Sequence, residues 1–491
     1  MVINKNTGKD KLKTSENLPE RVLQFGTGVL LRGLCDDIID RANKRGKFNG
    51  RIVVVKTTGS DVSEFTQQDG LYTILETGIK EGKVVENYSL NEAISRVISS
   101  ETDWQSVVET AENKEINIVI SNTTEAGLVY VQEVFGPGAS VSFPGKLCQW
   151  LHHRYSTCQA ETVVIPTELI VDNGALLHKY VLQLATDNGF EAGFYDWLKT
   201  KVHFCSSLVD RIVPGKPAKE ELERHWKKLG YVDHLLIKAE PYTLWAIEGE
   251  GLEHLLGFVT NGQDTVILKP NIEKYRELKL RLLNAPHTLM CSVGVFSGFR
   301  LVREAMANEG FVKYMHNMML TELAPAIPSE NIDEKVKQRY IMQVLDRFRN
   351  ESIDHLWQNI CVQYTLKMRS RVVPLVVQYY KMQGSIPHYM VRCLASYLFY
   401  MKCEQATDSL YYGEHEGQKY LVNCDYAAYF STLWAENSDM ETLVSKCFSN
   451  TDLWGQNLSD LTGLDEHVSS HLSNIRLMGV PDALASLNVF A

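Results

Sequence analysis

The sequence lacks the features that mark nucleic-acid-binding, secreted and membrane proteins. Basic residues are outnumbered, with 50 Lys and Arg against 60 Asp and Glu, so a concentrated basic surface for nucleic acid is not expected. No apolar run approaches the roughly 18 residues that span a bilayer, and the polar N-terminal residues contain no apolar core of a secretory signal. We therefore expect a cytoplasmic protein that binds neither nucleic acid nor a membrane.

The ten cysteines form no pattern typical of a metal site. None belongs to a CxxC pair, and none lies near a histidine at zinc-finger spacing. Reduced thiols in a cytoplasmic protein are the simplest interpretation. We therefore predict no metal cofactor, and scattered ligands that the fold brings together are the alternative.

Apolar segments with strand character alternate with amphipathic ones through the first half of the 491 residues. Residues 21–25 and 51–55 are short apolar strands on either side of an amphipathic helix at about 29–43, which is a βαβ unit. The continuous apolar run at 51–55 is typical of a strand buried on both faces of a parallel sheet. Further strands at 116–120 and 162–166 extend the alternation, so residues 1–275 are predicted to form a doubly wound α/β domain.

Helical periodicity dominates after about residue 275, and no clear strand alternation is visible there. Segments rich in Met and Tyr at 312–320, 337–348 and 386–402 are typical of core packing between helices. Residues 276–491 are therefore predicted to form a mostly α-helical second domain.

A glycine-containing turn follows the first predicted strand and precedes the first helix. In a dinucleotide fold, Gly26 would permit the tight turn, and Gly28 would let the backbone approach a pyrophosphate at the helix N-terminus. Leu31 occupies the third glycine position of the GxGxxG fingerprint, so a plain structural turn is the alternative. The predicted cofactor-binding residues of this turn are Phe25, Gly26, Thr27 and Gly28.

Two more strand ends bear on the cofactor. The second strand ends in Lys56 rather than in the acidic residue that holds ribose hydroxyls. Lys56 could favour a 2′-phosphate, and Asp61 could reach back if the loop folds over, so the choice between NAD and NADP stays open here. The strand at 116–120 is followed by polar residues that are predicted to contact ribose or nicotinamide: Asn122, Thr123, Thr124 and Glu125. A turn at the strand end without contact to a ligand is the alternative interpretation.

The strongest local signal is the spacing of Lys279, Asn284 and His287. On an α-helix, Asn284 would lie about 140° and His287 about 80° from Lys279, and Pro286 should kink or end that helix. A metal-free alcohol dehydrogenase needs a proton-transferring base, a donor to the alkoxide and an orienting group, which these three types can supply. A solvated Lys, a capping Asn and a satisfied His are the alternative interpretation.

The Lys-x4-Asn-x2-His pattern resembles the signature of the polyol-specific long-chain dehydrogenases, the mannitol dehydrogenase family. Other family motifs follow in order: Gly26-x-Gly28 with Arg32, 68–73, 172–174 and 209–212. The resemblance implies a Rossmann-type first domain, a helical second domain with the active site between them, NAD as cofactor, and Arg32 as a cofactor contact. It also implies that Asn173 joins Lys279, Asn284 and His287 as a catalytic residue.

Segments 24–26, 121–127, 142–147, 347–350 and 367–371 are similar to the branch of this family that reduces keto-hexuronates. They imply reduction of D-tagaturonate to D-altronate, with fructuronate reduction or mannitol 2-dehydrogenase activity as alternatives. Lys367, Arg369 and Arg371 are candidate ligands for a substrate carboxylate, and a solvated helix face is the other interpretation. A nucleotide-binding sensor without turnover is the non-enzymatic alternative, against which the intact Lys279, Asn284 and His287 argue. The oligomeric state stays open.

Overall fold

The computed structural model describes residues 1–6, 18–123, 127–259, 265–328, 332–407 and 409–480. The chain divides into two compact units. The first unit comprises Met1–Thr77 and Val84–Ile272, and the second comprises Gly78–Lys83 and Glu273–Ala491. Within the described ranges, no helix is both long enough and apolar enough to cross a membrane.

The first unit is built on a parallel sheet. The strands before residue 272 are β1 (Glu20–Phe25), β2 (Arg51–Lys56), β3 (Tyr72–Lys80), β4 (Lys83–Asn91), β5 (Ile94–Ser99), β6 (Ile118–Ser121), β7 (Thr162–Pro166), β8 (Val202–Phe204), β9 (Ser207–Asp210), β10 (Ile237–Ala239), β11 (Leu244–Glu248) and β12 (Val266–Lys269). Six of them form a parallel sheet in the order β5-β2-β1-β6-β7-β8. This is the strand order of a doubly wound dinucleotide fold, so the predicted fold of this part is confirmed.

The middle strands are buried on both faces, as the apolar run in β2 predicts. Ile52 and Val54 pack into the apolar core on one face of the sheet. Val53 and Val55 pack into the core on the other face. Because successive side chains of a strand point to opposite faces, an unbroken apolar run is stable only where helices cover both faces.

Helices cover this sheet, and the first one is interrupted. The helices before residue 272 are α1 (Val29–Gly33), α2 (Cys35–Lys44), α3 (Ser63–Thr66), α4 (Trp104–Glu109), α5 (Phe143–Thr157), α6 (Asn173–Asp187), α7 (Ala192–Lys201) and α8 (Lys219–Leu229). The single helix predicted at 29–43 is therefore two helices. Leu34 takes a non-helical φ of −126° directly after Gly33, a residue type with low helix propensity.

The second unit is mostly helical, as predicted. Its helices are α9 (Glu273–Leu278), α10 (Ala285–Phe296), α11 (Val302–Ala305), α12 (Glu309–Met318), α13 (Glu334–Phe348), α14 (Trp357–Ile360), α15 (Tyr364–Lys367), α16 (Val373–Gln383), α17 (His388–Tyr400), α18 (Ala427–Glu436), α19 (Met440–Phe448), α20 (Thr451–Trp454) and α21 (Leu464–Met478).

The second unit also contains a small sheet, although no clear strand alternation is visible in this half of the sequence. An antiparallel sheet is formed by β13 (Glu404–Thr407), β14 (Leu410–His415) and β15 (Gln418–Leu421). All four residues of β13 are exposed, and β15 is mostly exposed. Because β13 and β15 have no buried face, their residues do not alternate between apolar and polar types, and no local pattern indicated these strands.

π-Helical turns interrupt the helices of the second unit at three places within the described residues. Each ends two residues before a proline: Lys279–Asn284 before Pro286, Met319–Leu323 before Pro325, and Met368–Val372 before Pro374. Proline has no N–H, and its ring collides with the carbonyl group four residues earlier in an α-helix. A turn with i→i+5 hydrogen bonds changes that register. We therefore attribute the irregularity predicted at Pro286 to a π-turn.

Candidate active site

The turn after β1 has the backbone form that a dinucleotide fold requires. Gly26 has a φ of 121°, and a Cβ there would lie 3.0 Å from the carbonyl oxygen of Asn122, so only glycine fits. Gly28 precedes α1, and a Cβ on Gly28 would meet no atom within 4 Å. Thr27 is half-buried beside it. The turn thus leaves the backbone at Gly28 open to a ligand.

Two other predicted cofactor residues of this region face the protein interior. The Phe25 ring is buried and packs against Phe143, with ring centroids 5.3 Å apart. Arg32 is also buried, and its Nη1 donates a hydrogen bond to the Leu235 carbonyl at 2.8 Å. Its guanidinium lies over the Tyr72 ring, 5.4 Å from the centroid. These contacts give both side chains a packing role and do not support direct contact with a cofactor.

The end of β6 is organised by a buried carboxylate that sequence reasoning missed. Glu168 Oε1 accepts hydrogen bonds from the Thr123 N–H at 2.9 Å and the Thr123 hydroxyl at 3.2 Å, and Oε2 accepts from the Ser121 hydroxyl at 3.2 Å. Burial raises the pKa of Glu168 above its ordinary value. Asn122 Nδ2 donates to the Thr167 carbonyl and hydroxyl oxygens, both at 3.0 Å. The predicted residues Thr124 and Glu125 lie outside the described residues.

Asn173 is fully engaged within the first unit. Its Nδ2 donates to the carbonyl oxygens of Glu168 at 2.9 Å and Ser207 at 3.1 Å. Its Oδ1 accepts from the Ser207 N–H at 2.9 Å. Both amide hydrogens are therefore used, and in this conformation Asn173 joins the loop after β7 to β9 instead of offering a donor to a substrate.

The loop after β2 folds back, as one sequence alternative required. The Lys56 ammonium donates a hydrogen bond to the Asp61 carbonyl oxygen. The exposed Asp61 carboxylate accepts from the Ser63 N–H at 2.8 Å, and hydrogen bonds from Ser63 lower the pKa of Asp61. An ionised carboxylate thus lies on the loop that a dinucleotide fold uses to hold ribose hydroxyls.

A cavity of about 500 Å³ lies beside this loop, past the ends of β2 and β5. Its polar lining includes Thr57, Ser100, Thr102, Ser140 and Lys146, with Trp104 as the aromatic wall. Open α/β sheets bind ligands outside the carboxyl ends of their strands. Size and position therefore suit the nucleoside part of a cofactor.

In the second unit, Lys279 and Asn284 are the first and last residues of a π-turn. In such a turn the N–H of residue i+5 bonds to the carbonyl of residue i. Residues five apart then lie one turn apart on the same side, so the 140° separation expected for an α-helix does not apply. The angle between Lys279 and Asn284 around the helix axis is therefore smaller than the α-helical spacing predicted.

His287 lies in the first turn of α10, in an aromatic setting. Its ring stacks on Phe348 with centroids 3.8 Å apart, and the His355 ring packs edge-on at 5.1 Å. Its Nε2 is buried and has no hydrogen-bond partner among the described residues. Burial, and then the charges of neighbouring cationic groups, hold the pKa of His287 well below its ordinary value. A neutral imidazole with one unpartnered nitrogen is suited to a hydrogen bond with a substrate oxygen.

The cations that act on His287 are Arg347, Arg371 and Lys367. Lys367 and Arg371 are half-buried, and burial lowers the pKa of both. Their hydrogen bonds go to neutral atoms, the Ile360 carbonyl at 2.9 Å and the Thr288 hydroxyl at 3.1 Å. Within the described residues neither is paired with a carboxylate. Sequence reasoning missed Arg347 as a site residue, although the segment 347–350 carried part of the family resemblance.

Arg369, the third member of the predicted basic cluster, has different surroundings. It is exposed, and its Nη1 donates to the Asp452 carbonyl at 3.2 Å. Its guanidinium also lies beside Gly455. The structure therefore brings Lys367 and Arg371 together near His287 and leaves Arg369 apart from them.

Comparison with known proteins decides the family. The model of the mannitol dehydrogenase Rossmann domain matches residues 20–255, and that of the mannitol dehydrogenase C-terminal domain matches residues 271–476. The chain belongs to the mannitol dehydrogenase family. As a member of this family it is an oxidoreductase that acts on CH–OH groups, which confirms the resemblance and the enzyme class predicted from the sequence.

Relatives cover nearly the whole chain. The altronate oxidoreductase of Halalkalibacterium halodurans is 35% identical over 487 residues, covering 96% of this chain and 94% of the relative. The altronate oxidoreductase of Bacillus subtilis is 32% identical, with 95% of each chain covered.

Two solved structures share the fold of this chain. A substrate-free D-sorbitol dehydrogenase matches with a TM-score of 0.79 at 20% identity, covering 98% of this chain and all of the other. Pseudomonas fluorescens mannitol 2-dehydrogenase, solved with NAD and D-mannitol, matches with a TM-score of 0.68 at 21% identity and 99% coverage of both chains.

Proposed function

We propose that the protein reduces D-tagaturonate to D-altronate with NADH, and catalyses the reverse reaction with NAD. The observation that carries this proposal is the pair of half-buried cations, Lys367 and Arg371, beside His287 and without a carboxylate partner among the described residues. Cations that burial disfavours gain most from a bound anion. A hexuronate has the carboxylate that such a pair would bind, and a neutral polyol does not. The names of the full-length relatives support the same substrate.

The chemistry is assigned to the π-turn and the helix that follows it. Reduction adds a hydride to the keto carbon and a proton to its oxygen. The Lys279 ammonium donates that proton, and its amine form removes it in the reverse direction. The Asn284 amide donates a hydrogen bond to the same oxygen as negative charge develops. Neutral His287 binds a neighbouring substrate hydroxyl through Nε2.

The first unit has the features that NAD binding needs. NADH would supply the hydride for the reduction, and NAD would accept it in the reverse reaction. The residues that would hold the cofactor are Gly28, whose open backbone would face the pyrophosphate, and Asn122 and Thr123, which would contact a ribose. The tight turn at Gly26, the open position of Gly28 and the polar cavity beyond Thr57 fit a dinucleotide. The mannitol 2-dehydrogenase from Pseudomonas fluorescens was solved with NAD, which supports this choice.

The substrate proposal is tested by comparing kcat/KM for D-tagaturonate, D-fructuronate and D-fructose with NADH. Arg371→Met is expected to reduce kcat/KM for the hexuronate about 10- to 150-fold, because a hydrogen bond to a charged group contributes about 1.5–3 kcal/mol. Activity with fructose should fall less, because fructose has no carboxylate and is affected only through the lost hydrogen bond between Arg371 and Thr288. Lys367→Met should act in the same direction.

Arg369→Met is the matched comparison, since Arg369 donates to the Asp452 carbonyl. It should keep the wild-type preference for the acid over the neutral sugar. Wild-type preference for fructose or fructuronate would contradict the substrate. An unchanged acid preference in both Arg371→Met and Lys367→Met would contradict the carboxylate site, whichever hexuronate is used.

A further inference from the structure

Arg281 occupies the middle of the π-turn that carries Lys279 and Asn284, and its side chain is buried. Its Nε donates to Glu277 Oε2 at 3.0 Å in a buried ion pair one turn away. Its Nη1 donates to two backbone carbonyls of another π-turn, Ser370 at 2.8 Å and Arg371 at 2.9 Å. One guanidinium therefore joins the turn that carries the acid/base residue to the turn that carries the substrate cation.

One of the two carbonyl groups that Arg281 contacts, that of Ser370, cannot accept the hydrogen bond that an α-helix would supply. Pro374 lacks the N–H that an α-helix would direct at the Ser370 carbonyl, four residues earlier. The π-turn Met368–Val372 lies in this segment. Arg281 supplies a side-chain donor to the Ser370 carbonyl, to which Pro374 cannot donate.

A second link runs back from Arg371 to the first turn. Arg371 Nη1 donates to the Thr288 hydroxyl at 3.1 Å, and that hydroxyl donates to the Asn284 carbonyl at 2.8 Å. Arg281, Arg371, Thr288 and Asn284 thus form a closed set of contacts between the two π-turns. Movement of either turn would disturb the other.

We propose that Arg281 is a positioning residue that holds Lys279 and Asn284 in fixed register with Arg371. The proposal rests on the proposed function for its choice of reacting groups. Arg281 touches no reacting atom in this assignment. It acts through the two turns, so its loss should change the rate of proton transfer more than the affinity for substrate.

The test is Arg281→Lys, which keeps the charge and removes the forked donor. The substrate is whichever of D-tagaturonate, D-fructuronate or D-fructose the wild type reduces best. With this substrate, kcat is expected to fall about 10- to 100-fold, because a small misplacement of catalytic groups has effects of this size. KM should change less, and the pH profile of kcat should shift. Arg281→Ala should regain activity when methylguanidinium is added.

Arg154→Lys is the matched control. Arg154 is a buried arginine of the first unit whose Nη1 also donates to two carbonyls, Ala111 at 3.0 Å and Asn113 at 3.1 Å. This variant should lower the melting temperature and leave kcat per folded molecule unchanged. If Arg281→Lys behaves in the same way, with the wild-type pH profile, Arg281 is structural only and the proposal is wrong.

Glu277→Gln covers the case in which Arg281→Lys does not fold, because it weakens the hold on Arg281 and keeps the guanidinium. It should give a smaller fall in kcat with the same shift in pH profile. A wild-type kcat and pH profile in folded Glu277→Gln, together with an unfolded Arg281→Lys, would overturn the proposal. Because the substrate is chosen by wild-type activity, failure of D-tagaturonate as substrate would leave this test intact.

Discussion

Lys279 is the residue on which the proposed chemistry depends most. We expect Lys279→Ala to fold and to bind NADH, and to lose about 100-fold or more in kcat, the usual scale for a lost acid/base group. The control is Lys274→Ala. Lys274 is an exposed lysine in α9, the helix before the π-turn, and its ammonium lies 4.9 Å from the Tyr275 ring centroid. Steady-state kinetics and NADH fluorescence measure both effects. A near-wild-type kcat in Lys279→Ala would contradict the assignment.

Asp61 is the residue expected to decide between the two nicotinamide cofactors. Its ionised carboxylate would accept hydrogen bonds from ribose hydroxyls and repel a 2′-phosphate, so we expect wild type to prefer NADH to NADPH. Asp61→Asn should reduce the ratio of kcat/KM for NADH over NADPH about tenfold, the effect of about 1.4 kcal/mol. Glu64→Gln, in helix α3 directly after that loop, should leave the ratio unchanged. Wild-type preference for NADPH would indicate that Lys56 binds the 2′-phosphate.

At the level of elements, the π-turn before Pro286 is expected to matter more for catalysis than for stability. Pro286→Ala restores an N–H that can bond to the carbonyl four residues earlier and favours an ordinary α-helix. Asn284 would then rotate away from Lys279. We expect kcat to fall at least about tenfold while the melting temperature stays the same or rises.

Pro325→Ala is the control for that prediction. Pro325 follows the π-turn Met319–Leu323 at the same spacing, and that turn carries none of the candidate site residues. It should change the melting temperature without changing kcat. Equal kcat for Pro286→Ala and wild type would show that the π-turn is not needed to place Asn284.

At the level of the whole molecule, buried acids should make stability depend on pH. Burial raises the pKa of Asp36 in α2 from 3.8 to about 7, opposed by Arg32 and Tyr72. Burial likewise raises the pKa of Glu322 from 4.5 to about 7, opposed by the Tyr389 and Met390 N–H groups. At pH values between the unfolded and folded pKa values, the folded protein therefore binds more protons than the unfolded chain. The stabilisation that comes from these two raised pKa values is fully present below about pH 4 and is lost as the pH rises through about 7.

Asp36→Asn should remove the Asp36 part of that dependence. Each acid contributes at most about 1.4 kcal/mol per pH unit to the slope of the unfolding free energy. Between pH values of about 5 and 7, the variant should lose less stability than wild type in denaturant titrations. Glu322→Gln provides the same comparison in the second unit. Equal slopes for Asp36→Asn and wild type would mean that Asp36 is ionised in the fold.

The bounds of an element were predicted well from the sequence where all residues of that element are buried. β7 has the bounds predicted from its apolar run, 162–166, because both faces of that strand are buried. The first helix was predicted less well, since its break at Leu34 depends on one glycine and on packing. The π-turns could be anticipated only as an irregularity at Pro286, because a proline removes a donor without fixing the register that replaces it.

Composition, apolar periodicity, turn glycines and prolines are local properties, and they determined the doubly wound first half, the helical second half and the spacing of Lys279, Asn284 and His287. Only the tertiary structure decided where the long polar side chains go. Arg32 donates to Leu235, Arg369 to Asp452, and Arg281 to Arg371. These partners are 203, 83 and 90 residues away. An arginine side chain has several rotatable bonds and turns to whichever acceptor the packed neighbours leave nearest, which no local pattern records.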